Sequence, residues 1–128
     1  MRALLDTHVF LWWLLDDQRL SPQARTIMRD GRHEMLWSAA SSWELAIKIS
    51  RGLLRLPGPL GSYLPVKLRE QGITLLPVEH VHTFAVVELP HYHRDPFDRL
   101  LVAQARVEEV PLMSADPQIR RYDVEILW

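Results

Sequence analysis

Short apolar segments alternate with longer amphipathic segments along the whole chain, and this alternation limits the possible folds more than any other feature of the sequence. The apolar segments are Arg2–Asp6, Glu34–Ser38, Ile73–Leu76, Pro111–Ser114 and Val124–Leu127. Each has the length of a strand and is followed by residues that cap or turn the chain. Strands that alternate with helices form a parallel sheet with helices on both faces. The pattern therefore predicts an α/β protein: a three-layer α/β/α sandwich around a central, mostly parallel sheet of four to five short strands.

The segments between these strands carry the signals that begin and end helices. Ser21-Pro22, for example, combines a capping serine with a proline at the first helical position. We predict helices over residues 7–15, 22–29, 41–50, 60–71, 79–88, 96–109 and 116–121. In the third helix, which we expect to start at Ser41 or Ser42, the spacing of apolar residues indicates an inner face made of Trp43, Ala46, Ile47 and Ser50.

Composition narrows the class of protein. The length of 128 residues suits one domain spanning 1–128, and 48% hydrophobic residues suffice for a buried core. There is no cysteine, which excludes disulfides and thiolate metal sites. The longest apolar run, Val9–Leu15, is far shorter than the ~20 residues that span a bilayer, and no secretory signal is present, so we expect a cytoplasmic protein without a membrane partner. A net charge of −1 argues against a generally basic nucleic-acid coat but leaves nucleic acid open as a substrate.

Acidic residues follow four of the apolar segments at the start of the next helix. They are Asp6, Glu44, Asp98 and Asp116. The carboxyl ends of parallel strands share one edge of the sheet, where ligands bind in such folds, so we expect the four carboxylates to converge. Like charges held together repel unless a cation neutralises them, and carboxylate oxygens suit hard cations. The sequence therefore predicts a Mg²⁺ or Mn²⁺ site, and oxygen-only ligation argues against zinc.

A second interpretation treats each acid as a helix cap. Ser41-x-x-Glu44 has the form of a capping box, and Asp95-Pro96 is a cap followed by a first-turn proline that leaves Asp98 in the first turn. Asp6 and Asp116 stand in equivalent positions. If capping were their only role, the protein would be a non-catalytic binding module. The occurrence of carboxylates at four junctions that meet in space favours the metal site, because serine, threonine or asparagine would cap equally well.

Four sequence motifs resemble those of the PIN-domain ribonucleases, and among them the VapC-like toxins of toxin–antitoxin pairs. The motifs are Leu4-Leu5-Asp6-Thr7-His8, the segment from Ser38 to Lys48 that contains Trp43-Glu44-Leu45, the segment from Asp95 to Ala105 that contains Pro96-Phe97-Asp98-Arg99, and Ser114-Ala115-Asp116. Their order and spacing cover essentially the whole chain, and the third is the most specific. The resemblance implies the PIN-like version of the predicted sandwich.

The resemblance also implies roles for these residues. Asp6 and Asp98 look like the principal metal ligands, Glu44 like a third ligand or an acceptor for metal-bound water, and Asp116 like a fourth ligand that acts through water. The hydroxyls of Thr7 and Ser114 are expected near the metal or the scissile phosphate, and Asp95 is expected to cap and support Asp98. The implied activity is Mg²⁺-dependent hydrolysis of RNA by a toxin that an antitoxin blocks. An RNA-processing PIN nuclease without an antitoxin is the alternative enzyme.

Basic and apolar residues suggest how substrate and partners are bound. Arg99, Arg94 and Lys48 are candidate contacts to RNA phosphates, with solvated surface charge as the alternative. His91-x-His93 has no third ligand nearby, so we expect structural roles there, with His93 within reach of substrate. The first helix is apolar on nearly all sides, which places Trp12 and Trp13 in the core. One face of this helix is left for a second chain, either in a homodimer or from an antitoxin segment.

Overall fold

The computed structural model describes all residues from Met1 to Trp128. The strands are β1 (Arg2–Leu5), β2 (Glu34–Ser38), β3 (Thr74–Leu76), β4 (Leu112–Met113) and β5 (Ile126–Leu127). The helices are α1 (Thr7–Leu14), α2 (Pro22–Arg29), α3 (Ala39–Ser50), α4 (Leu60–Glu70), α5 (His80–Ala85) and α6 (Pro96–Glu108), with single 3₁₀ turns at Val86–Glu88 and Ile119–Arg121. All strand pairs are parallel, in the order β3-β2-β1-β4-β5, which confirms the α/β prediction with five strands.

Alternate residues of each central strand point to opposite sides of the sheet, so each strand contributes side chains to both faces. Both faces are buried. Ala3 and Leu5 of β1 belong to one core cluster, whereas Leu4 belongs to the other. The first cluster includes residues of α1, α2, α3 and α4, such as Phe10, Ala24, Leu45, Leu64 and Leu68. The second includes residues of α6 and of the turn at Ile119–Arg121. This arrangement is the predicted three-layer sandwich.

The inner face of α3 differs from its prediction. The helix begins at Ala39, with Ser38 as its cap, and not at Ser41 or Ser42. Trp43, which we expected to face inward, is 62% exposed, and Ala46 and Ser50 are also exposed. The buried side chains of this helix are Ala40, Ser41, Glu44 and Leu45. The apolar spacing misled the prediction because α3 turns polar residues inward, toward the site described below.

Other elements are shorter than predicted. The segment expected to be a helix over residues 116–121 contains only the 3₁₀ turn at Ile119–Arg121, and α5 ends at Ala85 before its own 3₁₀ turn.

Trp12 and Trp13 are half-buried rather than fully enclosed, although both pack against the first core cluster. No helix has both the length and the apolar character needed to cross a bilayer.

The register of the sheet brings three strand ends to one edge. Leu4 of β1 pairs with both Leu36 and Leu112, and Leu5 pairs with Met113. The residue after β1 is Asp6, the last residue of β2 caps α3, and the residue after β4 is Ser114. Asp6, Asp116 and, through α3, Glu44 therefore start from a shared edge, whereas Asp98 is reached through α5 and the 3₁₀ turn that follow β3.

Candidate metal centre at the carboxyl edge of the sheet

Asp6 is fixed by two hydrogen bonds at the junction of β1 and α1. Its Oδ1 accepts a 2.7 Å bond from the Thr7 amide, so it caps α1 as the sequence suggested. Its Oδ2 accepts a 2.8 Å bond from the Ser114 hydroxyl. Burial raises the pKa of Asp6, and the Ser114 hydrogen bond opposes that rise.

The Ser114 hydroxyl links two of the acids. Besides donating to Asp6, its oxygen accepts a 3.0 Å hydrogen bond from the amide of Asp116. The Asp116 carboxylate in turn accepts a 2.8 Å hydrogen bond from the Gln118 amide, which gives that backbone N–H a partner in the turn after β4. The fully buried Ser114 side chain therefore joins Asp6 and Asp116, while its predicted position near a metal or scissile phosphate stays a prediction.

Glu44 enters the site from the second turn of α3 and not as a capping residue. Because α3 starts at Ala39, the predicted capping box between Ser41 and Glu44 is wrong. Ser41 instead accepts a 2.8 Å hydrogen bond from the Thr7 hydroxyl, which joins the starts of α1 and α3. The Glu44 carboxylate is only 8% exposed and lies 2.8 Å from the Lys48 ammonium. Capping therefore does not explain why this acid is buried.

Asp98 lies in the first turn of α6, but Asp95 caps that helix. The Asp95 side chain accepts hydrogen bonds from the amides of Phe97 and Asp98, at 2.9 and 3.1 Å, so its predicted capping role is observed. The Asp98 side chain is 13% exposed, and its Oδ2 lies 3.2 Å from Nε2 of His93. No protein group bonds to its other oxygen, which leaves that oxygen available to a ligand.

A chain of hydrogen bonds holds His93 in place. The Arg99 guanidinium donates to the Tyr122 hydroxyl at 3.0 Å, and that hydroxyl lies 2.8 Å from Nδ1 of His93. Since arginine is always a donor, the tyrosine oxygen accepts there and its own proton is free to go to Nδ1. In that tautomer Nε2 carries the imidazole proton and donates it to Asp98 once this carboxyl group is ionised. The chain of contacts therefore holds the side chains of His93 and Asp98 in fixed orientations.

Neighbouring negative charges act on Asp98. Burial, followed by the charges of Asp6, Asp95, Asp116 and Glu44 in that order of effect, raises the pKa of Asp98 to about 8. A carboxyl group with that pKa holds its proton at neutral pH unless a cation compensates the surrounding charge. The charges of Asp6, Glu44 and Asp116 therefore act on Asp98, and the role of the four acids as metal ligands stays a prediction.

The donor set fits a hydrated hard cation better than an all-protein cage. No three histidine, aspartate or glutamate side chains are arranged so that they already enclose a metal ion. Mg²⁺ does not need such a cage, because it keeps several waters and binds through one or two carboxylates together with substrate phosphates. The oxygen donors of Asp6 and Asp98, surrounded by uncompensated negative charge, meet that requirement. Tetrahedral zinc would require closer, mixed ligands.

The three predicted phosphate contacts differ in the structure. Arg99 is buried and donates to the carbonyl oxygens of Pro90 and Leu89 as well as to Tyr122, so the predicted role in phosphate binding does not fit its geometry. Arg94 is exposed and makes no hydrogen bond or ion pair. Lys48 is paired with Glu44 and lies 3.5 Å from Nε2 of His8. Arg94 therefore remains the freest of the three.

Sequence reasoning missed Tyr122 and Arg19 and undervalued His93. Tyr122 is 29 residues from His93 along the chain, and no motif connects them. The position of His93 just before the Asp95-Pro96 cap was the one available signal. Arg19 lies beside the site because the turn after α1, in which Asp16 has a φ of +49°, brings the chain back over Trp12.

Known proteins are similar to this chain in sequence and in fold. The model of the PIN domain family matches residues 3–125. Ribonuclease VapC22 of Mycobacterium tuberculosis is 32% identical over 120 residues, covering 94% of this chain and 91% of that protein. Ribonuclease VapC16 of the same organism is 44% identical over 61 residues, covering 48% of this chain and 43% of that protein.

Two solved structures share the fold. VapBC2 from Rickettsia felis, bound to a DNA fragment from its promoter, superimposes with a TM-score of 0.71 at 14% identity and covers 98% of this chain and 97% of that chain. FitAcB from Neisseria gonorrhoeae gives a TM-score of 0.59 at 19% identity, covering 97% of this chain and 95% of that chain. With a family model that spans nearly all its residues, the chain belongs to the PIN domain family.

Proposed function

We propose that this protein is a Mg²⁺-dependent endoribonuclease that acts as the toxin of a toxin–antitoxin pair. One observation carries the nuclease proposal: the half-buried Asp98 lies near enough to Asp6, Asp95, Asp116 and Glu44 for their charges to raise its pKa. Helix capping explains Asp6 and Asp95, and a local turn explains Asp116, but neither explains the burial of Glu44 or the negative charges near Asp98. The relatives named ribonuclease, of which one matches over 94% of this chain, support RNA as the substrate.

The residues of the site have different proposed roles in binding the cation. Asp6 and Asp98 would hold the cation directly, and Glu44 and Asp116 would act through water. When bound, Mg²⁺ or Mn²⁺ activates water for attack on phosphorus and offsets charge on the departing oxygen. Ser114 and His93 hold the carboxylate oxygens of Asp6 and Asp98 in fixed positions. The protein contributes positioning and charge compensation rather than a nucleophile of its own.

The nuclease proposal is tested by incubating the purified protein with a mixed RNA pool, with and without Mg²⁺ or Mn²⁺. Asp98→Asn is the test variant, since it keeps the size of the side chain. Asp123→Asn is the matched control, because Asp123 is exposed and lies before β5, at the amino edge of the sheet. We expect cation-dependent cleavage by the wild type and the control only. If the protein neither cleaves RNA nor binds cations by calorimetry, the nuclease proposal is wrong and the non-catalytic binding module is favoured.

The toxin proposal is separable from the nuclease proposal. If the protein is a toxin, its expression should arrest growth, and co-expression of the protein from the adjacent gene should relieve the arrest. An RNA-processing nuclease without an antitoxin would cleave RNA in the test tube but would show no such relief. We favour the toxin because the resemblance to VapC-like toxins covers all four acidic motifs and because the structural neighbours include VapBC2.

A homodimer remains part of the proposal, as does the cytoplasmic location predicted from the sequence. Three apolar side chains on and after α5 are exposed to solvent, namely Val81, Phe84 and Val87. Exposed apolar surface of this kind is typical of a protein–protein contact. We expect a second copy to cover it. Sedimentation of the wild type beside a Phe84→Ser/Val87→Ser variant tests this expectation: the wild type should sediment as a dimer and the variant as a monomer.

A further inference from the structure

A cavity of about 300 Å³ opens beside the acidic centre. Asp6 and Asp116 contribute two carboxylates to its wall. The remaining lining residues, His8, Val9, Trp12, Arg19 and Ala115, carry no negative charge. A molecule in this cavity would therefore touch the acidic centre and also meet aromatic and basic side chains.

Arg19 is held in place before any ligand arrives. Its Nε donates to Asp17 Oδ1 at 3.1 Å, its NH2 group donates to Oδ2 at 2.7 Å, and its backbone amide donates to the same carboxylate at 2.9 Å. The side chain is nonetheless 68% exposed. A guanidinium has five N–H donors, so this pairing leaves donors free for a phosphate. Little side-chain entropy would be lost on binding, since Asp17 has already fixed the rotamer.

Trp12 supplies a flat surface next to this guanidinium. The Arg19 guanidinium carbon lies 5.0 Å from the centre of the Trp12 ring. The rings of His8 and Trp128 lie 6.1 and 5.9 Å from Trp12, so the indole is held on several sides and is half-buried. Unstacked nucleobases bind to aromatic rings and to guanidinium planes of this kind.

We propose that this cavity is a nucleotide-binding subsite for single-stranded RNA. It holds the nucleotide next to the scissile phosphate, with a phosphate on Arg19 and the base against the surface formed by Trp12 and Arg19. A cavity of about 300 Å³ is at the lower limit of ligand pockets, so it admits one nucleotide and not a duplex. The inference rests on the proposed function, because it names how the substrate of the acidic centre is held.

Arg32 provides a matched control within the same chain. It repeats the geometry of Arg19, with its Nε 3.0 Å and its NH2 group 2.8 Å from the Asp30 carboxylate and its backbone amide 3.0 Å from it. Its side chain is 87% exposed. Arg32 precedes β2, however, and therefore lies at the amino edge of the sheet, away from the acidic centre. A difference between the two arginines reports position and not loss of charge.

The test measures the binding of a fluorescein-labelled single-stranded RNA of mixed sequence by anisotropy, at several salt concentrations and in the non-cleaving Asp98→Asn background. We expect Arg19→Gln to weaken binding by at least about fivefold and to reduce the slope of log affinity against log salt by about 1. Trp12→Leu should weaken binding by about fivefold or more with little change in that slope. Arg32→Gln should change neither quantity.

The outcomes separate this inference from the proposed function. If the wild type cleaves RNA but Arg19→Gln and Arg32→Gln bind RNA alike, the subsite is wrong and the nuclease stands. If the wild type neither binds nor cleaves RNA, both proposals are wrong. In the cleaving protein, we also expect Arg19→Gln to raise KM while leaving kcat nearly unchanged, because Arg19 binds a phosphate that does not react.

Discussion

Nε2 of His93 lies 3.2 Å from Oδ2 of Asp98, and this contact connects the acidic centre to a buried arginine. On its other side, His93 meets the Tyr122 hydroxyl, to which Arg99 donates. The imidazole therefore cannot rotate without breaking two hydrogen bonds. Since Asp98 is a proposed metal ligand that no helix-capping bond holds, His93 is the residue that sets its orientation.

Replacing His93 should impair cation binding more than folding. We expect His93→Gln to weaken the apparent affinity for Mg²⁺ by about tenfold to a hundredfold, which is typical when the partner of a metal ligand is lost. Tyr122→Phe should produce a smaller effect in the same direction, because it removes only the hydroxyl between Arg99 and His93. Calorimetric titration and the Mg²⁺ dependence of cleavage measure both variants.

His91→Gln is the control for these variants, since His91 is exposed and makes no hydrogen bond. Thermal unfolding of all three variants should be recorded without metal. If His93→Gln lowers the midpoint of unfolding but leaves the Mg²⁺ affinity unchanged, His93 is a structural residue and does not position Asp98.

Stability without metal should fall as pH rises. The folded protein raises the pKa of Asp98 to about 8 from an ordinary value of 3.8, so between these pH values the folded state binds a proton that the unfolded state releases. The free energy of unfolding therefore decreases through that range and levels off above pH about 8. Denaturant unfolding in chelator, at a series of pH values, should show this decline, and added Mg²⁺ should reverse it.

Asp98→Asn should remove most of this pH dependence. At pH about 8 in chelator, we expect the variant to be more stable than the wild type by at least about 1 kcal/mol, while near pH 4 the two should be alike. Asp123→Asn serves as the control and should follow the wild type. A wild-type stability that stays flat from pH 4 to pH 8 in chelator would contradict the raised pKa that burial and the neighbouring carboxylates give Asp98.

Arg99 and Arg94 should affect different measurements. Arg99→Gln removes the donor to three backbone carbonyls, those of Pro90, Leu89 and Val86, and to Tyr122, so we expect a loss of about 2–4 kcal/mol in the free energy of unfolding. Arg94→Gln should change stability by less than about 0.5 kcal/mol, because the side chain is exposed, but should weaken RNA binding. Equal effects of the two variants on both quantities would show that this assignment is wrong.

The sequence predicted those features that depend on local patterns. Strand positions follow from short apolar runs, and the shared edge of the acids follows from parallel pairing, so the positions of Asp6 and Asp116 needed no tertiary information. The inward face of α3 did need it. Ser41 accepts a hydrogen bond from Thr7 of α1 and Glu44 pairs with Lys48, so both side chains are buried although they are polar. A rule that places only apolar residues in the core cannot find such buried functional groups.

Long-range contacts set the remaining differences. Its sequence motif predicts that Arg99 lies at the surface. Arg99 is a buried structural residue because Pro90 and Tyr122 lie against it and accept its hydrogen bonds. The same approach gives His93 its role. Arg19 became a candidate once the turn after α1 had placed it over Trp12. None of these contacts has a sequence spacing that a local pattern could reveal.

Removing the Ser114 hydroxyl should shift the pH dependence of cleavage. Its hydrogen bond to Oδ2 of Asp6 counteracts the effect of burial on the pKa of that carboxyl. Without it the pKa of Asp6 rises further, so Ser114→Ala should need a higher pH to bind Mg²⁺ and to cleave RNA. Stability should also fall by about 1–3 kcal/mol, since the Asp116 amide loses its acceptor. Ser50→Ala, which loses an exposed hydroxyl on α3, should change neither property. An unshifted profile of kcat against pH for Ser114→Ala would mean that Asp6 does not depend on Ser114 for its charge.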